Sequence, residues 1–400
     1  MLLKNCLIVV LLLILIPLNT FATESDDEDG SEVLSTEIAA KHKPEASLPV
    51  LEEIAKQHKE QTELFELLGV KVKPGNQVSL SWFVTLSSIN FNIPVIVVHG
   101  KYRGPVIGIT AALHGDELNG IEIVRQVLKG VDPEKLAGTI VAVPIVNLEG
   151  FLKQSRYIAD RRDLNRYFPG NPQGVMPSRY ADGLFQKVIL KCDSLVDLHT
   201  GSYYRTNLPQ LRADLSNDTV ATMVERFGSI TVLNSAGSPG MLRNAATAAG
   251  VPAVTLEVGG PLTLNLDDVF FGVHAVQQFL GALGMIEAPD RLAKEQPIFY
   301  QSNWVMAEFD GIFLSEVKLG AKVKHGEQIA RIVNPMTNAE NSIPAPFTGT
   351  ILGMAENQFV SPGYLIFRIG VKETETEARE KAKEEALKSK VKKAETSGSM

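Results

Sequence analysis

Short apolar runs and helix-period segments alternate along the middle of the chain, from about residue 70 to residue 288. NIPVIVVHG, PVIGITAALHG, GTIVAVPIVN, DSLVDLHTG and VPAVTLEVGG are largely apolar stretches that end in glycine, asparagine or histidine. Such runs suit strands covered on both faces. Between them, ELNGIEIVRQVLKG and YADGLFQKVILKC carry apolar residues at helical spacing, which predicts amphipathic helices. The alternation predicts an α/β fold with a mixed, mostly parallel sheet flanked by helices. In such sheets ligands bind beyond the carboxyl ends of the strands, where the unusual residues of this chain fall.

From about residue 298 to residue 370 the pattern changes to short strands and turns. GIFLSEVKLGAKVKHGEQIARIV and GTILGMAENQFVSPGYLIFRIG share a glycine, a β-run, a V-x-x-G turn (Val323 to Gly326, Val360 to Gly363) and a closing β-run. This duplication resembles the biotinyl/lipoyl-type barrel-sandwich domain, a small all-β fold. Carriers of that type present a lysine between the halves, but the joining stretch NPMTNAENSIPAPF has none. A structural or oligomer-forming appendage is therefore expected, which leaves a homo-oligomer open. Upstream, LEEIAKQHKEQTELFELL, residues 51–68, has helical periodicity, with His42 and His58 as ordinary polar positions around it.

The chain starts MLLKNCLIVVLLLILIPLNTFATES, with Lys4 before an apolar run of about eleven residues. That run is too short to span a bilayer of roughly 30 Å as a helix, and small residues near Ala22 suit cleavage. A signal peptide is expected, hence an exported protein, periplasmic or secreted, with no stable membrane span after cleavage. The expected organisation is a signal peptide over 1–22 and an acidic spacer with an N-terminal helix over 23–69. A catalytic domain follows over 70–290, then a barrel-sandwich domain over 297–371 and a charged tail over 372–400.

Composition narrows the chemistry. Four hundred residues at 44% hydrophobic and 21% charged describe a globular chain of two or three domains. A net charge of −7 gives no pull toward nucleic acid. Two cysteines make neither a disulfide scaffold nor a cysteine zinc module, so any metal must be held by histidine and carboxylate.

Four places offer such chemistry. In Leu113-His114-Gly115-Asp116-Glu117, a histidine ends an apolar strand and a carboxylate follows three residues on, at a turn into a helix. Such a turn can aim an imidazole and a carboxylate at one zinc ion; the plain alternative is a capped helix start beside an exposed histidine. In Asp197-Leu198-His199-Thr200-Gly201, period two places Asp197 and His199 on one strand face, so Asp197 can orient the ring of a ligand. Glu257 closes the run VTLEVGG, where a carboxylate is costly to bury unless paired or employed as a general base. Finally, the loop from Arg156 to Gly170 gathers arginines with Asn165 ahead of an aromatic-Pro-Gly turn, a plausible grip on a carboxylate.

In the order H-x-x-E, D-L-N-R, D-L-H-T-G and L-E-V-G, these motifs resemble the succinylglutamate desuccinylase/aspartoacylase family of the zinc carboxypeptidase-like clan. The resemblance covers roughly residues 78–288, and an appended barrel-sandwich domain also occurs in that family. It implies a zinc-carboxypeptidase-like α/β core that hydrolyses an amide bond, typically in an N-acyl amino acid, with one zinc ion per chain. By the same resemblance His114, Glu117 and His199 match the zinc ligands, and Glu257 matches the catalytic glutamate. Asn165 and Arg166 match the pair that holds the substrate carboxylate. Arg156 matches the arginine that polarises the scissile carbonyl, with Arg162 the competing candidate.

The expected activity is thus an exported zinc-dependent deacylase of small carboxylates. A metallocarboxypeptidase acting on peptides, such as cell-wall peptides, uses the same chemistry. A non-enzymatic binding protein with a decayed site is the remaining class, and the presence of every expected site residue argues against it. The other candidates read as structural: His99 at a strand end, His274 in a helix, His325 in a turn, and Trp82 and Trp304 as core aromatics. Cys192 follows an apolar helical run and lacks the pattern of basic neighbours that would mark it as a nucleophile.

Overall fold

A computed structural model describes residues 62–86, 89–158, 161–293 and 295–371. The expected signal peptide, the acidic spacer, most of the expected N-terminal helix with His42 and His58, and the charged tail lie outside them. The end of that helix is corrected. Residues 65–72 form a hairpin, β1 (Phe65–Leu67) against β2 (Val70–Val72), closed by Leu68 and Gly69 with φ of 51° and 77°. Two successive positive φ values make a tight hairpin turn that a helix cannot cross, and they outweigh the apolar spacing.

β3 (Asn76–Leu86) and β4 (Ile89–His99) then pair along their whole length. Alternating units follow: β5 (Tyr102–Ala111), α1 (Leu118–Lys129), β6 (Ala137–Val143), α2 (Leu148–Leu152), α3 (Met176–Lys187) and β7 (Ser194–His199). Next come β8 (Arg205–Ala213), α4 (Asp218–Glu225), β9 (Thr231–Asn234), α5 (Leu242–Ala248), β10 (Ala253–Gly259) and α6 (Leu266–Ala282). Strands β6, β5, β7 and β10 are parallel neighbours, with β4 and β8 antiparallel on either side. Every residue of β6, β7 and β10 is buried, as continuous apolar runs require of strands covered on both faces.

Odd and even positions separate cleanly. Val196, Leu198, Val254 and Leu256 pack under α1, α4 and α6, while Leu195 and Ala253 pack under α3 and α5. Asp197, His199, Thr255 and Glu257 share the parity of Leu195 and Ala253, so one face turns from apolar to polar as it reaches the strand ends.

The last part of the chain comprises β11 (Ile298–Phe299), β12 (Gln301–Met306), β13 (Gly311–Ser315), β14 (Lys322–Val323) and β15 (Gln328–Val333). It closes with β16 (Glu340–Pro344), β17 (Gly349–Ala355), β18 (Phe359–Val360) and β19 (Leu365–Val371). One sheet runs β16-β15-β13-β18; the other, β12-β19-β17, continues the large sheet through β17 against β8. Phe313, Ile329, Ile332, Ile351 and Phe367 belong to the apolar core they share. The two V-x-x-G turns match in shape, with Gly326 and Gly363 at φ of 81° and 87° after β14 and β18. Among the described residues no helix is long and apolar enough to cross a membrane.

Candidate metal centre and reaction cleft

After β5 the chain turns at Ala112 (φ 47°), whose carbonyl accepts the Asn147 N–H. Gly115 then passes so close to the start of α2 that a Cβ would lie 2.0 Å from the Gly150 carbonyl carbon. The glycine of H-G-D-E is therefore required. Glu117 occupies the N-cap of α1 but makes no side-chain cap hydrogen bond. Its carboxylate turns instead to His114 Nδ1 at 2.7 Å and His199 Nδ1 at 2.9 Å, with the Thr200 N–H donating at 3.1 Å. A simple capped helix start would have aimed that carboxylate at the α1 amides.

His114, Glu117 and His199 offer ligand atoms that all lie within 4.8 Å of one another, and all three are buried. The two Nδ1 atoms lie 3.1 Å apart, facing the carboxylate. Imidazole nitrogens this close need a proton or a cation between them, and two imidazoles with one carboxylate form a suitable donor set for a metal ion.

Each imidazole is backed by a second carboxylate. His199 Nε2 lies 2.8 Å from Asp197, which also accepts from the Thr110 hydroxyl at 2.6 Å. His114 Nε2 lies 3.1 Å from Asp163. Such partners fix ring orientation in metal sites. Burial and Arg156 work against protonation of His114, yet Glu117 and Asp163 prevail and raise its pKa. Burial also opposes protonation of His199, but Asp197 and Glu117 hold its pKa well above the usual value. Glu117 shows the reverse balance: burial favours its neutral form, and the two imidazoles lower its pKa to about 2.

Arg156 is 6% exposed and joins this cluster. Its guanidinium donates to Asp163 at 2.8 Å and to Ser202 Oγ at 2.5 Å, and lies 3.2 Å from His114. Arg162 is exposed and points to the Tyr167 hydroxyl at 3.2 Å, so Arg156 is the arginine beside the triad. Asp163 also accepts the Asn165 N–H, which shapes the short turn through D-L-N-R. The amide oxygen of Asn165 accepts from Leu242 N at 2.8 Å, which fixes that side chain. Arg166, half-buried, lies 3.8 Å from Asp163.

Glu257 is the register partner of His199 in the parallel pair β10–β7, so both project to the same face. Its carboxylate is held from β8, by Asn207 Nδ2 at 3.1 Å and by the Arg212 guanidinium at 3.5 Å. Glu257, Arg156, Ser202 and Arg212 line one cleft, and Trp304, Leu365 and Arg368 close its side from the C-terminal β region. Trp304, expected in a core, is half-buried between the guanidinium groups of Arg205 and Arg368, 5.0 and 5.5 Å from its ring. Arginine stacking on indole holds it at the cleft wall.

The remaining histidines have other surroundings. His99 is buried against Thr139 Oγ1 and the Glu63 carbonyl, His274 lies on α6, and His325 sits exposed in a turn. Trp82 is a core residue against Tyr180. Burial pushes the Cys192 thiol up to about 12, so it is no nucleophile.

Residues 103–283 match the succinylglutamate desuccinylase/aspartoacylase catalytic domain. Over this region the chain is similar to that family. Over 252 residues, 60% of this chain and 73% of the relative, it is 26% identical to the N-alpha-acetyl-L-2,4-diaminobutyric acid deacetylase of Halomonas elongata. A succinylglutamate desuccinylase of a Silicibacter species shares its fold with a TM-score of 0.66 at 23% identity, over 74% of this chain and 95% of that one. A product-bound structure of the ectoine utilization protein EutE (DoeB) of Ruegeria pomeroyi superposes equally, again with a TM-score of 0.66, 23% identity and the same coverage of both chains.

Asp163, Ser202, Asn207, Arg212 and Arg368 were not singled out from sequence. Only Asp163 left a signal there, as the first residue of D-L-N-R.

Proposed function

We propose that this protein is a zinc-dependent deacylase that hydrolyses the amide bond of a small N-acyl amino acid. The observation that carries the reading is the convergence of His114, Glu117 and His199 beside Arg156, within the region that matches this family's catalytic domain. A divalent cation held by those three residues, zinc in this reading, supplies Lewis-acid chemistry to the amide carbonyl and to water. Arg156, fixed by Asp163 and Ser202, donates to the oxygen on which negative charge develops. Glu257, steadied by Asn207 and Arg212, takes a proton from the attacking water and passes it to the amide nitrogen. The C–N bond then breaks to give a carboxylate and a free amine. Asn165 and Arg166 hold the substrate carboxylate and so orient the amide.

The walling of the cleft by Trp304, Leu365 and Arg368 favours small substrates over the peptides that a carboxypeptidase groove admits. The reading includes export, on the strength of Lys4 and the apolar run that follows it. Purified protein assayed against N-acetyl and N-succinyl amino acids, beside short peptides, tests this. Amine release from the acyl amino acids alone is expected; peptide cleavage without deacylation would overturn it.

A further inference from the structure

The C-terminal β region reaches the cleft by a second route, through the backbone that follows His199. Gly201 begins a tight turn in which a Cβ would meet the Arg205 carbonyl oxygen at 2.1 Å. Within it, Tyr203 and Tyr204 have φ of 54° and 56°, a left-handed conformation that non-glycine residues adopt only at a cost. Two in succession persist only when the surroundings impose them. Tyr204 is 55% exposed, so at that residue the constraint falls on the backbone.

The carbonyls of both residues are held from one direction. The Tyr364 hydroxyl donates to the Tyr203 carbonyl. Gln358 Nε2 donates to the Tyr204 carbonyl at 2.7 Å, and the Glu356 N–H donates to the same oxygen at 2.9 Å. Just beyond, Ala355 on β17 pairs with Arg205 on β8. The other side of the turn meets the arginine of the site: Ser202 Oγ accepts from Arg156, and the Tyr203 ring lies 5.5 Å beneath its guanidinium. Tyr203 and Tyr157 also join hydroxyl groups at 2.8 Å, which ties the turn to the segment that carries Arg156.

We propose that Tyr364 and Gln358 are positioning residues: by clamping the Tyr203–Tyr204 turn they keep Ser202 and Tyr203 against Arg156, and so aim its guanidinium at the reacting carbonyl. The β region is thereby part of the reaction geometry as well as a wall. This rests on the deacylase reading of Arg156 given above. A guanidinium misplaced by about an ångström costs turnover far more than binding.

The test is a double-mutant cycle in the full-length, metal-loaded protein, with an N-acyl amino acid that the wild type hydrolyses. Tyr364→Phe combined with Gln358→Ala removes both side-chain donors and leaves the Glu356 backbone contact. kcat is expected to fall by about tenfold or more, with KM within about twofold and metal content unchanged. In an Arg156→Ala background the same pair is expected to cost nothing further. Tyr364→Phe alone, which keeps the ring, replaces the pair if the pair fails to fold. Unchanged kcat, or an equal loss with and without Arg156, overturns the positioning role. If Arg156→Ala itself leaves kcat intact, the arginine reading fails and the positioning role falls with it. If Arg156→Ala lowers kcat while the clamp variant does not, only the positioning role falls.

Discussion

The sandwich formed by β12–β19 buries Phe313, Ile329, Ile332, Ile351, Phe367 and similar apolar neighbours, whereas the ends of β5, β7 and β10 bury His114, Glu117, Asp197, His199 and Glu257. Both regions stand on extended sheets with tight turns. They differ in what closes the strand ends: hydrocarbon packed on hydrocarbon in one, paired charges in the other. A buried charge is tolerated only where partners compensate its lost hydration, and an unpaired one is costly. Arg368, a charged side chain of the sandwich that is only 2% exposed, makes the point locally, because it turns away from the apolar core to line the cleft. Packing in the sandwich is expected to set stability, and the paired charges are expected to set chemistry.

The sharpest way to break that contrast is Glu257→Gln, which keeps shape and removes the proposed base. Turnover is expected to fall by about 10²–10⁴-fold, with only a modest drop in melting temperature because the amide can still face Asn207 and Arg212. Steady-state kinetics and calorimetry measure both, and near-normal turnover would erase the division.

The converse experiment is Phe313→Ala in the sandwich. Denaturant titration is expected to show a stability loss of about 3–5 kcal/mol, since the ring is fully buried. Activity per folded molecule should stay near that of the wild type. A loss of turnover without a loss of stability would mean that core packing itself sets the chemistry.

A smaller effect concerns protons. In the metal-free chain both imidazoles have raised pKa values, so metal uptake must expel the protons they hold. Lowering the pH favours the proton-bound form and weakens uptake, by about tenfold per pH unit for each proton displaced. Calorimetric titration in two buffers of different ionisation heat counts the protons released. No release at pH 6 would contradict the raised values.

Much of this division is visible in the sequence, and what escapes has a physical reason. H-x-x-E is legible because its two side chains are local to one turn, and His199 because a continuous apolar run points to its position. The α/β core follows from the same runs, and the sandwich from the duplicated V-x-x-G turns. Strand β8 hides itself: buried Asn207, Gln210 and Arg212 interrupt its apolar pattern, so the two residues that hold Glu257 look like loop residues. Trp304 carries no local mark of its role, because Arg205 and Arg368 reach it from distant parts of the chain. Before residue 70 helical spacing misleads, because Leu68-Gly69 sets a hairpin turn inside it.

Metal analysis of purified, folded protein dialysed against zinc at neutral pH tests the joint grasp of one cation by two histidines and a glutamate most directly. About one zinc per chain is predicted for the wild type, and none for His114→Ala or His199→Ala chains that keep their circular dichroism spectrum. A folded wild type that retains no divalent metal, or folded alanine variants that retain all of it, would contradict the account.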